Sequence, residues 1–177
     1  MLRSLSRFSH GLSHVDNSGL PTMVNVASKA ITHRIATAQA KVVLPPIIQD
    51  MLSASADSSN VEIMGKKGPV ISTSIIAGVL AAKKTSELIP FCHPIPLEQV
   101  DIKVNADQSE NVDKNNLLIT CTVSCTAKTG VEMEALVGVS NAALCIYDML
   151  KAVSHDIIIT DVKLVSKTGG KSDVNYQ

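Results

Sequence analysis

Aromatic residues are nearly absent from this sequence, with no Trp, two Phe and two Tyr in 177 residues. A core built around large rings is therefore excluded, and the interior must consist of aliphatic and small side chains. An excess of charge of either sign is also absent, because 16 basic residues balance 16 acidic ones. The chain as a whole is not biased toward nucleic acid or an anionic membrane surface, so any anion-binding site must be local.

Long hydrophobic runs, internal linkers and low-complexity tracts are missing as well. No apolar run approaches the roughly 20 residues that span a bilayer. A chain of 177 residues is of ordinary size for one domain and is long enough to bury a core. We expect a single domain over residues 12–177.

The spacing of the four cysteines does not indicate a disulfide framework. Cys121 and Cys125 are four apart in a segment rich in Thr, Val and Ile, so on a strand they would lie on one face. The chain has no CxxC spacing and no neighbouring His pair, so zinc ligation is not supported. Reduced thiols that pack as small hydrophobic groups fit better and suit a reducing compartment.

Residues 1–11 contain Arg, Ser and Leu but no acidic residue. This composition is typical of an organelle-targeting presequence, and a disordered N-terminus has the same composition. We expect a mitochondrial matrix protein, with the cytoplasm as the alternative.

Periodicity predicts alternating strands and helices along the rest of the chain. From residue 31 onward their order is β-α-β-β-α-β, the split βαβ pattern of a ferredoxin-like α+β sandwich with helices on one face of an antiparallel sheet. The predicted strands are within Ile31–Leu44 and at Val100–Val104, Asn116–Thr126 and Ile157–Val165, and the predicted helices are Pro46–Leu52, Val70–Leu88 and Thr129–Val153. Polar loops are expected at Ser53–Asn60 and Asp107–Asn115. Gly78 is unfavourable within the second of these helices, by about 1 kcal/mol relative to Ala, which indicates close packing there.

The run Leu88–Pro94 carries a Cys-His pair between two prolines. Pro90 and Pro94 restrict the loop, because proline fixes its own φ and biases the residue before it toward extended geometry. A rigid loop would hold the His93 imidazole in place for proton transfer near neutral pH. A half-buried His93 in a plain connector is the alternative.

The long helix predicted over Thr129–Val153 has charged residues at both ends. Its apolar residues recur near a 3.6-residue period, which predicts one amphipathic helix; they are Met133, Leu136, Val137, Leu144, Tyr147 and Met149 or Leu150. Asp148 and Lys151 are three apart and share a face, either as a surface ion pair or as part of a functional site.

Glu132 and Glu134 complement the positive end of the helix dipole. They point about 200° apart on a regular helix, so we do not expect both to face one ligand. Either the helix begins after Glu132, or one of the two serves a neighbouring subunit.

Adjacent lysines stand between glycines in Gly65–Gly68. Such a loop can bring its backbone close to a phosphate, although the GxxxxGK[ST] spacing of a Walker loop is absent. Solvated surface is the alternative explanation for Lys66 and Lys67.

Six motifs together resemble the MoaC family of cyclic pyranopterin monophosphate synthases of molybdenum cofactor biosynthesis. They span roughly residue 12 to the end: Met23–Val26, Lys67–Gly68, Cys92–Pro94, Thr129–Leu136, Tyr147–Val153 and Lys167–Ser172. The resemblance implies a ferredoxin-like fold and a homohexamer built as a trimer of dimers with sites at subunit interfaces. It implies conversion of 3′,8-cyclo-7,8-dihydroguanosine triphosphate to cyclic pyranopterin monophosphate with release of pyrophosphate, a phosphorus-oxygen lyase activity. The nucleotide substrate would come from a radical S-adenosylmethionine GTP cyclase.

The resemblance also assigns roles to residues of this chain. It implies that the catalytic residues are Asp148, Lys67, Lys151 and His93. It implies substrate binding by Phe91, Cys92, His93, Glu132, Met133, Glu134, Lys83 and Lys167. No metal ligand and no cofactor is evident, and Mg²⁺ could accompany the triphosphate. Nucleic acid and membrane are not expected partners.

Three departures from the family pattern stand beside these matches. Ile75 replaces an arginine, Phe91 replaces a leucine, and Ser53–Asn60 resembles an insertion. Two rival functions are a catalytically silent ferredoxin-like subunit and a zinc cyclohydrolase with Cys92 and His93 as ligands. Adjacent residues of an extended segment point to opposite faces, which counts against the zinc hypothesis.

Overall fold

The computed structural model describes residues 19–53, 62–107 and 116–176. The predictions for residues 1–11 and for most of the two polar loops lie outside these residues. Within them the elements follow in the order β1 (Thr32–Val43), α1 (Pro46–Ser53), β2 (Met64–Gly65), β3 (Gly68–Pro69), α2 (Val70–Lys83), α3 (Thr85–Leu88), β4 (Gln99–Ala106), β5 (Leu117–Ala127), α4 (Glu132–Leu150), β6 (Ile158–Thr168) and β7 (Val174–Asn175).

The main sheet has the order β4-β5-β1-β6-β7, and every neighbouring pair of strands is antiparallel. Its four long strands with α2 and α4 form the predicted split β-α-β-β-α-β sandwich. The central strand β1 pairs with β5 from Thr32 opposite Ala127 to Val42 opposite Leu117. Its pairing with β6 shifts register twice. The α+β prediction is confirmed.

The core is aliphatic and rich in small residues, as the lack of aromatic residues required. One face of β1 is fully buried at Ala36, Ala38, Ala40 and Val42, because alternate residues of a strand point to the same face. On β5 the buried cysteines Cys121 and Cys125 share that face, as predicted, and all four cysteines are free thiols.

Helix α4 buries only part of the stripe that the apolar period indicated. Two residues of the predicted stripe lie outward, Met133 at 37% and Leu144 at 58% exposed, whereas Met149 and Leu150 are buried. The rest of its buried face is formed mostly by small residues, among them Ala135, Gly138, Val139, Ala142 and Ala143. Small side chains allow the axis of α4 to approach the sheet and α2 closely. This close packing, and not the size of single side chains, determines which face of α4 is buried.

The close approach centres on two glycines. A Cβ added to Gly78 of α2 would lie 2.8 Å from the carbonyl oxygen of Gly138 and 2.5 Å from Ile102 Cδ1. The side chain of Asn141 on α4 donates a hydrogen bond to Ala77 O of α2 at 2.9 Å. The expectation that Gly78 marks tight packing is confirmed.

The helix predicted over Val70–Leu88 is two helices. Lys84 separates them with φ −108° and ψ 11°, outside helical geometry. The Thr85 hydroxyl then donates back to Ala82 O at 2.9 Å, a local bond that competes with helix continuation.

By length and composition, α4 could cross a membrane, but half of its apolar stretch is buried inside the fold. Core helices of globular domains commonly share this property.

Candidate active site

A hairpin brings a lysine to the C-terminal end of α4. The strands β2 and β3 pair Met64 with Pro69 and Gly65 with Gly68, and they place Lys66 and Lys67 in the turn. Lys67 Nζ donates to Asp148 Oδ2 at 2.7 Å and approaches Asp148 O at 3.3 Å. The remaining oxygen Oδ1 lies 2.7 Å from Nζ of Lys151, the residue that follows the last residue of α4. We call Lys67, Asp148 and Lys151 the lysine–aspartate cluster.

Two ammonium groups hold this carboxylate in its ionised form. Hydrogen bonds from Lys151 and Lys67, together with their charges, lower the pKa of Asp148 to about 2. The hydrogen bond to Asp148 and the charge of that carboxylate raise the pKa of Lys151. About half of each side chain is exposed, so an incoming ligand can reach all three. The cluster is a basic site with one ionised carboxylate at its centre.

A cleft of about 520 Å³ lies at the opposite end of α4. Six of its lining residues were assigned to substrate binding: Phe91, Cys92, His93, Glu132, Met133 and Glu134. The others are Val24, Val26, Lys29, Ile95, Thr129, Gly130 and Lys171. We call this cavity the His93 cleft.

Cys92 and His93 both line this cleft, against the expectation of opposite faces. The strand alternation does not apply, because Cys92 N–H bonds to Ile89 O at 3.0 Å in a turn. His93 Nε2 donates to Val24 O at 2.8 Å, which fixes the ring. In the three described ranges, no group of three or more His, Cys, Asp or Glu side chains is arranged to hold a metal ion.

Glu132 and Glu134 also line the same cleft, against the expectation from their angular separation. Glu132 is the first residue of α4, and a cavity at the end of a helix can be reached from any side of it. Glu132 Oε1 lies 3.2 Å from Lys167 Nζ, while Glu134 is only 4% exposed. Burial raises the pKa of Glu134, and the charge of Glu132 adds to the rise, against a backbone hydrogen bond that lowers it.

Lys83 joins neither group of residues. It is exposed as the last residue of α2, and its assignment to substrate binding stays a prediction.

Sequence reasoning did not assign Lys29 and Lys171 to the site. Lys171 had a signal, because it belongs to the motif Lys167–Ser172. There Gly169 has φ +79° and its N–H bonds to Asp173 Oδ1 at 3.0 Å. A Cβ on Gly169 would collide with the His33 backbone, so the loop requires glycine at this position. Lys29 had no comparable signal.

Within one chain, helix α4 separates the lysine–aspartate cluster from the His93 cleft. Glu134 and Asp148 are 14 residues apart on α4, which is roughly 21 Å along a helix that rises about 1.5 Å per residue. The body of α4 and its neighbours lies between them.

A ferredoxin-like sandwich with paired lysines around a carboxylate and an imidazole–carboxylate cleft defines an α+β enzyme with acid–base and anion-binding groups. The MoaC family model matches residues 23–170. A cyclic pyranopterin monophosphate synthase of Xanthomonas axonopodis pv. citri is 47% identical over 163 residues, which are 92% of each chain. One of Campylobacter jejuni is 47% identical over 161 residues, 91% of this chain and 95% of that protein. Molybdenum cofactor biosynthesis protein 1 of Dictyostelium discoideum is 46% identical over 171 residues, 90% of this chain and 26% of that protein. This chain belongs to the MoaC family.

Proposed function

We propose that this chain is a cyclic pyranopterin monophosphate synthase. It would convert 3′,8-cyclo-7,8-dihydroguanosine triphosphate to cyclic pyranopterin monophosphate and pyrophosphate, as a phosphorus-oxygen lyase of molybdenum cofactor biosynthesis. The observation that carries this proposal is the lysine–aspartate cluster, in which residues 81 positions apart meet at 2.7 Å. Near-complete coverage of relatives that bear this name supports it.

The cluster fits the displacement at phosphorus. A sugar hydroxyl attacks the α-phosphorus, an oxygen–phosphorus bond forms, the bond to the β-phosphate breaks, and pyrophosphate leaves. Lys67 and Lys151 would pair with the triphosphate, as cationic groups do in phosphoryl chemistry. Once phosphate oxygens hold both lysines, Asp148 loses the partners that keep its pKa near 2 and can accept the hydroxyl proton. Binding of the substrate would thus activate the base.

The His93 cleft fits the rebuilding of the purine ring, which needs several proton transfers. His93 is fixed by Val24 and presents an imidazole to the cleft. Glu134 can carry a proton closer to neutrality than an exposed glutamate, because burial raises its pKa. Lys167 pairs with Glu132 and would orient it.

We further propose that a complete site uses two copies of the chain, within the homohexamer that the family resemblance implies. The roughly 21 Å between Glu134 and Asp148 leaves the cleft of one copy free to meet the lysine–aspartate cluster of another. An isologous pair repeats the same contact twice, so each dimer would hold two such sites.

The activity test is incubation of the purified full chain with enzymatically prepared 3′,8-cyclo-7,8-dihydroguanosine triphosphate. Pyrophosphate release together with a product that oxidises to a fluorescent pterin is the expected result. A folded oligomer that gives neither signal would overturn the proposal in favour of a silent subunit. Zinc at one ion per chain, whose removal abolishes turnover, would favour the cyclohydrolase.

The composite site is tested by mixing two defects. His93→Ala disables the cleft and Asp148→Asn disables the lysine–aspartate cluster, so each homo-oligomer should be inactive. In co-expressed chains that pair at random, about one quarter of the sites would combine two intact halves. Recovery of about that fraction of wild-type activity is expected, whereas no recovery from mixed oligomers would refute the shared site.

The upstream supplier of the substrate would be a radical S-adenosylmethionine GTP cyclase, and Mg²⁺ would enter with the triphosphate. The composition of residues 1–11 favours the mitochondrial matrix over the cytoplasm. Import of a fusion of these residues with a fluorescent protein would test that location.

A further inference from the structure

The hairpin that carries Lys67 is too short to hold its own shape. Each of its strands has two residues. Pro69 has no N–H to donate, and beyond it a single backbone bond from Val70 N–H to Ile63 O at 2.9 Å continues the pairing. Isolated two-stranded hairpins are at best marginally stable in water, even when they are longer. Lys67 is nevertheless held at 2.7 Å from a carboxylate on another element, so other contacts must fix the hairpin.

A carboxylate closes the base of this hairpin. Glu62 Oε1 accepts the N–H of Ile63 at 2.9 Å and that of Ile71 at 2.8 Å. Glu62 Oε2 accepts the N–H of Ser72 at 3.1 Å and its hydroxyl at 2.6 Å. Ile63 enters the hairpin, whereas Ile71 and Ser72 belong to the first turn of α2, which leaves it. One side chain therefore joins the two ends of the segment.

The same carboxylate caps α2. The N–H groups of Ile71 and Ser72 lie in the first turn, where a helix supplies no carbonyl partner. Pro69 at the N-cap position contributes no side-chain bond. A negative charge at this end of α2 is also favoured by the helix dipole. Burial raises the pKa of Glu62, but the bonds from Ser72, Ile71 and Ile63 outweigh it, and the net shift is downward.

We propose that Glu62 is a positioning residue for Lys67: its carboxylate, fastened to the first turn of α2, sets the hairpin so that the Lys67 ammonium reaches Asp148 and the substrate phosphates. The kinetic part of this inference rests on the proposed function. The geometric part concerns the placement of Lys67 alone.

The geometric part is tested by lysine labelling. Trace acetylation of the full chain, followed by mass spectrometry, compares Lys67 with its exposed neighbour Lys66 in the same molecule. In Glu62→Gln and Glu62→Ala we expect the Lys67 to Lys66 labelling ratio to rise about fivefold, the factor that one typical hydrogen bond represents. Ser72→Ala should raise it less, because the backbone N–H bonds remain. Asp50→Asn, an exposed carboxylate on α1, is the matched control and should leave the ratio unchanged.

The kinetic part is tested by separating KM from kcat. A variant that merely unfolds in part lowers the active fraction and the apparent kcat but leaves KM unchanged. Glu62→Gln should instead raise KM for the triphosphate substrate and weaken inhibition by pyrophosphate, each about fivefold.

An unchanged labelling ratio and an unchanged KM in folded Glu62→Gln would overturn the inference. If wild type shows no turnover while the labelling ratio still rises, the proposed function fails and the positioning role stands.

Discussion

Lys67 Nζ and Asp148 Oδ2 lie 2.7 Å apart although 81 residues separate them in the chain. The contact joins the short hairpin of β2 and β3 to the last turn of α4. It converts a surface ion pair between Asp148 and Lys151 into a group of three charges. A pair at i,i+3 alone would contribute little, whereas two cations around one carboxylate form a binding site for a polyanion.

The adjacent lysines of the hairpin provide a matched comparison. Lys67→Ala should lower kcat/KM about 10²-fold or more, the range for loss of a group that stabilises developing charge. Lys66→Ala should remain within about twofold, because surface changes away from the site cost little. Steady-state pyrophosphate release measures both. Equal losses in the two variants would show that Lys66 also acts.

Asp148 should titrate far below an ordinary aspartate. With both lysines present its pKa is about 2, and Lys67→Met or Lys151→Met should each raise it toward about 3.9. Carboxyl carbon NMR between pH 1.5 and pH 6 follows the change. The sign for stability is that of a depressed carboxylate: the stabilisation is complete above the unfolded-state pKa and disappears as pH falls through about 2. An inflection near the usual value in wild type would contradict the cluster.

Glu134 should have the opposite effect on stability. Its pKa is raised in the folded state by burial, so the native protein loses stability as pH rises through that pKa. Glu134→Gln removes this loss, and its Tm relative to wild type should increase between pH 4 and pH 8. Glu132→Gln is the control, because it removes the ion pair with Lys167 and should lower Tm at neutral pH. The difference between the two variants, measured by calorimetry, should grow with pH.

Gly138 should not tolerate a methyl group. A Cβ there would lie 2.8 Å from Cys121 Sγ, so Gly138→Ala should destabilise by about 1–3 kcal/mol, despite the better helix propensity of Ala. Cys121→Ala removes the sulfur and should recover part of that loss in the double variant, a coupling that a urea-unfolding cycle measures. Strict additivity would show that the contact is absent.

Local sequence rules predicted the order of the long elements because each long segment has a clear period, but they missed the short strands β2, β3 and β7. The buried face of α4 was predicted only in part: Met149 and Leu150 are buried, but Leu144 is exposed and its neighbour Ala143 is buried. Period alone ranks Leu144 above Ala143. The small residues are buried because the backbone of α2 lies against them, a contact between segments that no single window contains.

The same limit applied to the site. Family motifs supplied the identity of Lys67, Asp148 and Lys151, and the i,i+3 spacing supplied one contact. The contact to Lys67 depends on how the hairpin is held, and therefore on Glu62, which no motif marked. Lys29 reaches the His93 cleft from the segment before β1. This too is a contact between distant segments that no motif marked. Cys92 and His93 line the same cleft because a turn that ends at Cys92 replaces the assumed strand.

The continuity of α4 restricts how this family can vary in length. Inserting a single residue between Glu134 and Asp148 would rotate one end against the other by about 100° and lengthen their spacing by about 1.5 Å. It would also move the glycine and alanine face off the sheet. Insertions and deletions among functional relatives should therefore fall in the connecting segments and leave residues 132–150 free of gaps.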